Sequence, residues 1–155
     1  MWYNPNYKDR DIILLNIGRS YYNEKLYYKA IEWNHNILSE ASSDSIRNYI
    51  KFYTGNSYFE LSYYDNALNN YDSIIKNVKN QLLLNKVYYM NAFSYLQRGE
   101  LEYSKRNFQL ISSKSDELYL DANKYIKYLD EFNLKDFKNP KIAGILGIVP
   151  GLGYA

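Results

Sequence analysis

The chain has 155 residues, no cysteine, one histidine and 19 basic against 17 acidic side chains. That composition excludes disulfide staples, thiolate metal sites and cysteine nucleophiles, and it leaves the single imidazole no second one with which to share a metal. A formal charge of +2 without a long run of either sign gives no electrostatic footprint for nucleic acid, so no nucleic-acid partner is expected.

Residues 1–8, MWYNPNYK, form an N-terminal segment in which Pro5 discourages early helix. The segment lacks the apolar run of roughly 7–15 residues that marks a secretory signal. From Asp9 or Asp11 a first helix is predicted to about Asn23, with Leu14, Ile17, Gly18 and Tyr21 on one stripe. A second helix, about Lys25 to Glu40, carries Ala30, Ile31, Ile37 and Leu38, and the ASSDS that follows ends it with cap-forming residues. Ser43 or Asp44 is expected to cap a third helix, about Ser45 to Leu61. A fourth runs from Tyr64 to about Val78, with Ala67, Leu68, Tyr71, Ile74 and Ile75 on one face. Helix five spans about Gln81 to Gln97, Gly99 supplies a positive φ at its end, and helix six starts at Glu100 and stops near SSKS. A seventh helix, about 116–131, presents Asp121, Lys124, Lys127 and Asp130 outward.

These helices repeat. Gly18, Gly55 and Ala92 lie 37 residues apart, and a second small residue follows each at twelve, namely Ala30, Ala67 and Ser104. An aromatic stands three after each first small residue (Tyr21, Tyr58, Tyr95), and Ile37, Ile74 and Ile111 keep the same register. Stacked hairpins must place small residues at matching positions if each is to pack on the next. Leu118, Ala122 and Tyr125 repeat the bulky, small, aromatic spacing only 30 residues after Ala92, as an atypical terminal helix covering an open end would.

The pattern resembles tetratricopeptide repeats (TPR), with a small residue and then an aromatic on the first helix and an Ala near the start of the second. Tyr27, Tyr64 and Leu101 stand where the family begins its second helix with an aromatic. Lys51, Thr54, Asn91 and Asn34 depart from the apolar or aromatic residues usual at their positions. The resemblance implies an all-α, right-handed superhelix of three helical hairpins plus a capping helix. The domain would span 9–132, with repeats about 11–40, 45–79 and 82–113. A period of 37 exceeds the usual length of about 34 and is similar to that of bacterial envelope-assembly repeats.

In such a stack the first helices line a concave face. The resemblance places Leu15, Arg19, Tyr22, Phe52, Asn56, Phe59, Tyr89, Phe93 and Asn123 on it as a partner-binding groove for a peptide or helix. The same aromatics could instead pack mainly against one another. Asn56 matches an asparagine of the family's carboxylate clamp, but the clamp lysines have no counterpart. Twenty tyrosines read either as drift in an AT-rich genome put to use in packing or as a dedicated binding surface, since the ring fills an interface while the hydroxyl reaches a polar partner.

Residues 133–155 are a linker and an uncharged, glycine-rich tail. Its Ile142, Ile145, Leu146, Ile148, Val149 and Leu152 would dock on a membrane or fold back on the repeats, although Pro150 and its length make it too short to span a bilayer as one helix. No nucleophile elbow, phosphate-binding loop or metal-protease spacing occurs. The expectation is a protein-interaction scaffold, not an enzyme, with no cofactor and no metal. A membrane-associated setting in a bacterial envelope is favoured, with the cytoplasm as the other setting. The alternatives are a small chaperone for a secreted client, or a homo-oligomer in which the tail occupies a groove.

Overall fold

Apolar stripes at helical spacing, each bounded by a cap or a turn signal, are what the sequence supplies along its length. The computed structural model describes residues 7–112 and 117–131, and every regular element among them is an α-helix. They are α1 (Tyr7–Asn23), α2 (Tyr27–Leu38), α3 (Asp44–Glu60), α4 (Tyr64–Ile75), α5 (Gln81–Gln97), α6 (Leu101–Gln109) and α7 (Glu117–Glu131). Helix α1 begins ahead of the expected start, while α2, α4 and α6 stop short of their expected ends. The cap expected at Ser43 or Asp44 is made by Ser43, whose hydroxyl accepts the N–H of Ile46 at 3.3 Å, and the Asn80 side chain caps α5 by accepting the N–H of Leu83 at 3.0 Å. The tail residues from Ile142 to Leu152 lie outside the described residues.

The corner inside each hairpin has one backbone design. Lys25, Ser62 and Gly99, 37 residues apart, adopt left-handed φ values of 60°, 63° and 77°. Their N–H groups donate to the carbonyls of Tyr22, Phe59 and Leu96, at 2.9, 2.9 and 3.0 Å. The N–H of each following residue, Leu26, Tyr63 or Glu100, reaches back to Tyr21, Tyr58 or Tyr95 at 2.9 Å. This pair of bonds satisfies carbonyls that the helix end would otherwise leave open. Lys25 therefore belongs to the corner and not to α2, which starts two residues later than expected.

The chain divides into two compact units, one ending at Lys79 and one beginning at Asn80. In the first, α1 packs on α2 and α3, and α3 on α4. Ile37, Ala41 and Ile50 form a core cluster flanked by Leu14, Leu15, Trp33, Leu38 and Ile46. The indole N–H of Trp33 donates to the Leu14 carbonyl at 2.9 Å and fixes α2 against α1. The expected small residues are buried at helix contacts. A Cβ on Gly55 would lie 2.6 Å from the Tyr71 ring, and one on Gly18 would lie 2.1 Å from Asn34 Oδ1. Asp11, one of the two residues expected to start the first helix, clips the α2–α3 loop: its Oδ2 accepts both the N–H and the hydroxyl of Ser42 at 2.6 Å. Arg10 pairs with Glu40 beside it.

The second unit packs α5 on α6 and α7 on both. Its centre is aromatic. Phe93 meets Phe108 and Tyr125 edge-on at 5.3 and 4.9 Å, while Phe108 and Tyr125 stack at 5.3 Å. Such pairs contribute about 0.5–1.5 kcal/mol each beyond simple burial. Ala92, in the repeat register, and Ala122, at the matching small position of the terminal helix, are both buried here.

Several polar residues at interior positions spend their hydroxyls within their own helix. Thr54 donates to Ile50, Ser57 to Tyr53 and Ser94 to Met90, at 2.8, 2.8 and 2.9 Å. Internal satisfaction of this kind removes most of the cost of burying a hydroxyl. The departure from the family pattern at Thr54 is thus accommodated without a change of register.

Candidate functional site

A site for a partner needs side chains that are ordered by the fold yet still reachable. Of the residues expected to line a groove, Phe52, Asn56, Phe59, Tyr89 and Phe93 are buried, Phe93 to 1% exposure. Phe52 packs on Tyr53 and Tyr71, Phe59 on Tyr64, and Tyr89 on Phe93 and Phe108. Asn56 Oδ1 accepts the buried Tyr71 hydroxyl at 2.7 Å, so the residue matching the carboxylate clamp is committed inside its own hairpin. Leu15 flanks the core of the first unit. Asn123 is exposed on α7, with its amide turned back to the Tyr119 carbonyl at 2.8 Å.

Arg19 and Tyr22 remain, and the structure gathers others around them. Tyr22 on α1 and Tyr27 on α2 flank the first corner, with ring centroids 5.7 Å apart. Tyr53 on α3 lies 5.9 Å from Tyr22 on its other side. The Arg19 guanidinium sits over Tyr53, 6.0 Å from the ring centre. The carboxylate of Glu60, the last residue of α3, accepts a 3.5 Å hydrogen bond from the Tyr22 hydroxyl, and the Tyr27 hydroxyl is close enough to act on its charge. Tyr22, Tyr27, Tyr53 and Glu60 are each partly exposed.

The electrostatics follow from this placement. Burial raises the Glu60 pKa above its ordinary value, opposed by the two tyrosine hydroxyls and the positive charge of Lys25. Burial, and then the Glu60 charge, push the Tyr22 phenol well above its usual range. Burial first and Glu60 second also raise Tyr27, and burial raises Tyr53 against the pull of Arg19. All three phenols are therefore protonated donors at neutral pH, and none is prepared to act as a base.

In the second unit the Tyr89 hydroxyl donates to Asp121 on α7, and Lys124 lies 3.4 Å from that carboxylate. Burial and then Asp121 raise the Tyr89 pKa. This pair ties α7 to α5. It offers no open face, because Tyr89 is itself buried.

No family model, curated protein or solved structure matches this chain. Among the described residues, no group of three or more His, Cys, Asp or Glu is placed to hold a metal. His35 is exposed on α2 with its ring 6.3 Å from that of Tyr58. No described helix is long and apolar enough to cross a membrane.

Sequence reasoning reached Arg19 and Tyr22 through the repeat register and noted Tyr27 only as a helix-start aromatic. It missed Tyr53 and Glu60. A usable signal was present for Glu60: it stands 37 residues before Gln97 and 37 after Asn23, a polar residue at the end of each first helix.

Proposed function

We infer that the chain is a tetratricopeptide-like interaction module: its hairpins stack as a right-handed superhelix, and it binds a peptide or helix of a partner protein instead of carrying out a reaction. The observation that carries this reading is the corner repeated at Lys25, Ser62 and Gly99, with matching hydrogen bonds at a 37-residue interval. Repeat units of this kind bury their faces on neighbours and leave helix surfaces for partners. The partly exposed face of α1 and α3, holding Arg19, Tyr22, Tyr53 and Glu60, is the contact surface in this reading. Tyrosine and arginine are the residue types most enriched where binding energy concentrates. The uncharged composition of Ile142 to Ala155 supports a bacterial envelope membrane as the setting.

Site-specific photo-crosslinking in cells tests the proposal. A crosslinker at Arg19 should capture a discrete protein partner, and one at Asn69, exposed on α4, should not. Equal capture at both positions, or none at Arg19, would overturn it.

A further inference from the structure

We propose that Glu60 and the rings of Tyr22, Tyr27 and Tyr53 form a seat for the ammonium group of a single lysine side chain presented by the partner protein. This rests on the interaction reading above and narrows it to one chemistry.

The carboxylate of Glu60 is held in place and partly stripped of water, yet among the described residues no cation lies within 4.0 Å of it. Lys25 acts on it only from a distance, and Arg19 is engaged over Tyr53. An ionised carboxylate offers about four acceptor positions. The Tyr22 hydroxyl uses one of them and Tyr27 lies near the group, which leaves room for further donors on the accessible side. A desolvated anion bordered by aromatic faces is a favourable environment for a cation, through a charge-assisted bond and the ring quadrupoles together.

Geometry selects lysine over arginine. An arginine fork pairs best when both carboxylate oxygens are free in one plane, whereas an ammonium is a point charge that needs only a single lone pair. The Tyr27–Tyr22–Tyr53 row, with centroid steps of 5.7 and 5.9 Å, gives the lysine methylenes an apolar ledge leading to the carboxylate. Arg19 at the far end of that row repels a second cation. The seat therefore takes an isolated lysine and disfavours a basic run.

The test uses the full chain on immobilised pools of nine-residue peptides, degenerate except for a fixed central residue: lysine, acetyl-lysine, arginine or glutamate. Retention on the lysine pool should exceed that on the acetyl-lysine pool by about tenfold, the scale of one charge-assisted contact, with arginine between them. Glu60→Gln, folded by its helicity, should erase that preference, and Glu60→Lys should shift retention toward the glutamate pool. Retention that ignores the central residue would overturn the lysine seat and leave the interaction reading standing. Failure to retain on any pool would overturn both.

Discussion

The Tyr71 hydroxyl on α4 reaches back to Asn56 Oδ1 on α3 at 2.7 Å, and it does so across the one place where α3 has no side chain, Gly55. The approach of the ring and the bond it makes are a single feature. Gly55→Leu should displace Tyr71 and cost about 1–3 kcal/mol or more through overpacking. Tyr71→Phe should cost about 1–3 kcal/mol by leaving a buried Asn56 acceptor without its donor. Urea unfolding of both variants measures this, and an unchanged midpoint for Gly55→Leu would contradict the close helix approach.

Asn34 occupies in the first hairpin the position that Tyr71 holds in the second, and it is fully buried with no hydrogen-bond partner for either amide atom. Its Oδ1 lies over Gly18. Leucine has nearly the same shape without the unsatisfied groups, so Asn34→Leu should stabilise the protein by about 1–3 kcal/mol. A lower melting temperature in that variant would show that the amide is satisfied by another route.

The three corners carry different amounts of strain. Left-handed backbone costs an L-residue roughly 1–2 kcal/mol, whereas glycine adopts it freely. Lys25→Gly and Ser62→Gly should therefore each stabilise by about 0.5–1 kcal/mol after the added unfolded-chain entropy is subtracted. Gly99→Ala should destabilise by roughly 1–2 kcal/mol. Chemical denaturation of the three single variants gives the comparison, and equal responses at Ser62 and Gly99 would refute the assignment of strain.

Asp11 and Glu60 give pH dependences of opposite sign. Hydrogen bonds from the Ser42 side chain and then its backbone lower the Asp11 pKa below 3.8, despite burial. The stabilisation that Asp11 provides is thus complete above the unfolded value and is lost as pH falls through the folded one. Burial raises the Glu60 pKa above 4.5, so its ionised form weighs against the fold above the raised value and is neutral to stability below 4.5. The melting-temperature deficit of Asp11→Ala should hold steady from neutral pH to about pH 5 and shrink in stronger acid. Glu60→Gln should gain relative to the parent at neutral pH and lose that gain on acidification. Melting curves across pH 3–8 separate the two.

The register of small residues was legible because packing leaves little choice: where two helices touch at Gly55 and Tyr71, one side must be small. The corners were legible only at Gly99, since neither lysine nor serine advertises a left-handed backbone. The groove was the hardest part to read. Phe52 and Tyr89 sit three before a small position and Asn56 and Phe93 one after, about 60° and about 100° around the same side of the helix, where a large side chain can turn either outward or into the hairpin. Burial of the side chain decided for the interior. Glu60 joins Tyr22 and Tyr27 through the placement of α3 against the first corner, a tertiary relation that no spacing along the chain encodes.

The sharing of one corner path by a lysine, a serine and a glycine has a consequence for how such an array changes length. What is copied from unit to unit is a hydrogen-bond template, with Tyr21, Tyr58 and Tyr95 lending their carbonyls at the same step. The template is made of backbone groups and admits a lysine or a serine at a cost of roughly 1–2 kcal/mol, so a block of 37 residues duplicated or excised whole would keep its joints. Growth would then proceed in whole modules, with the residue at each corner tuning how stable that joint is.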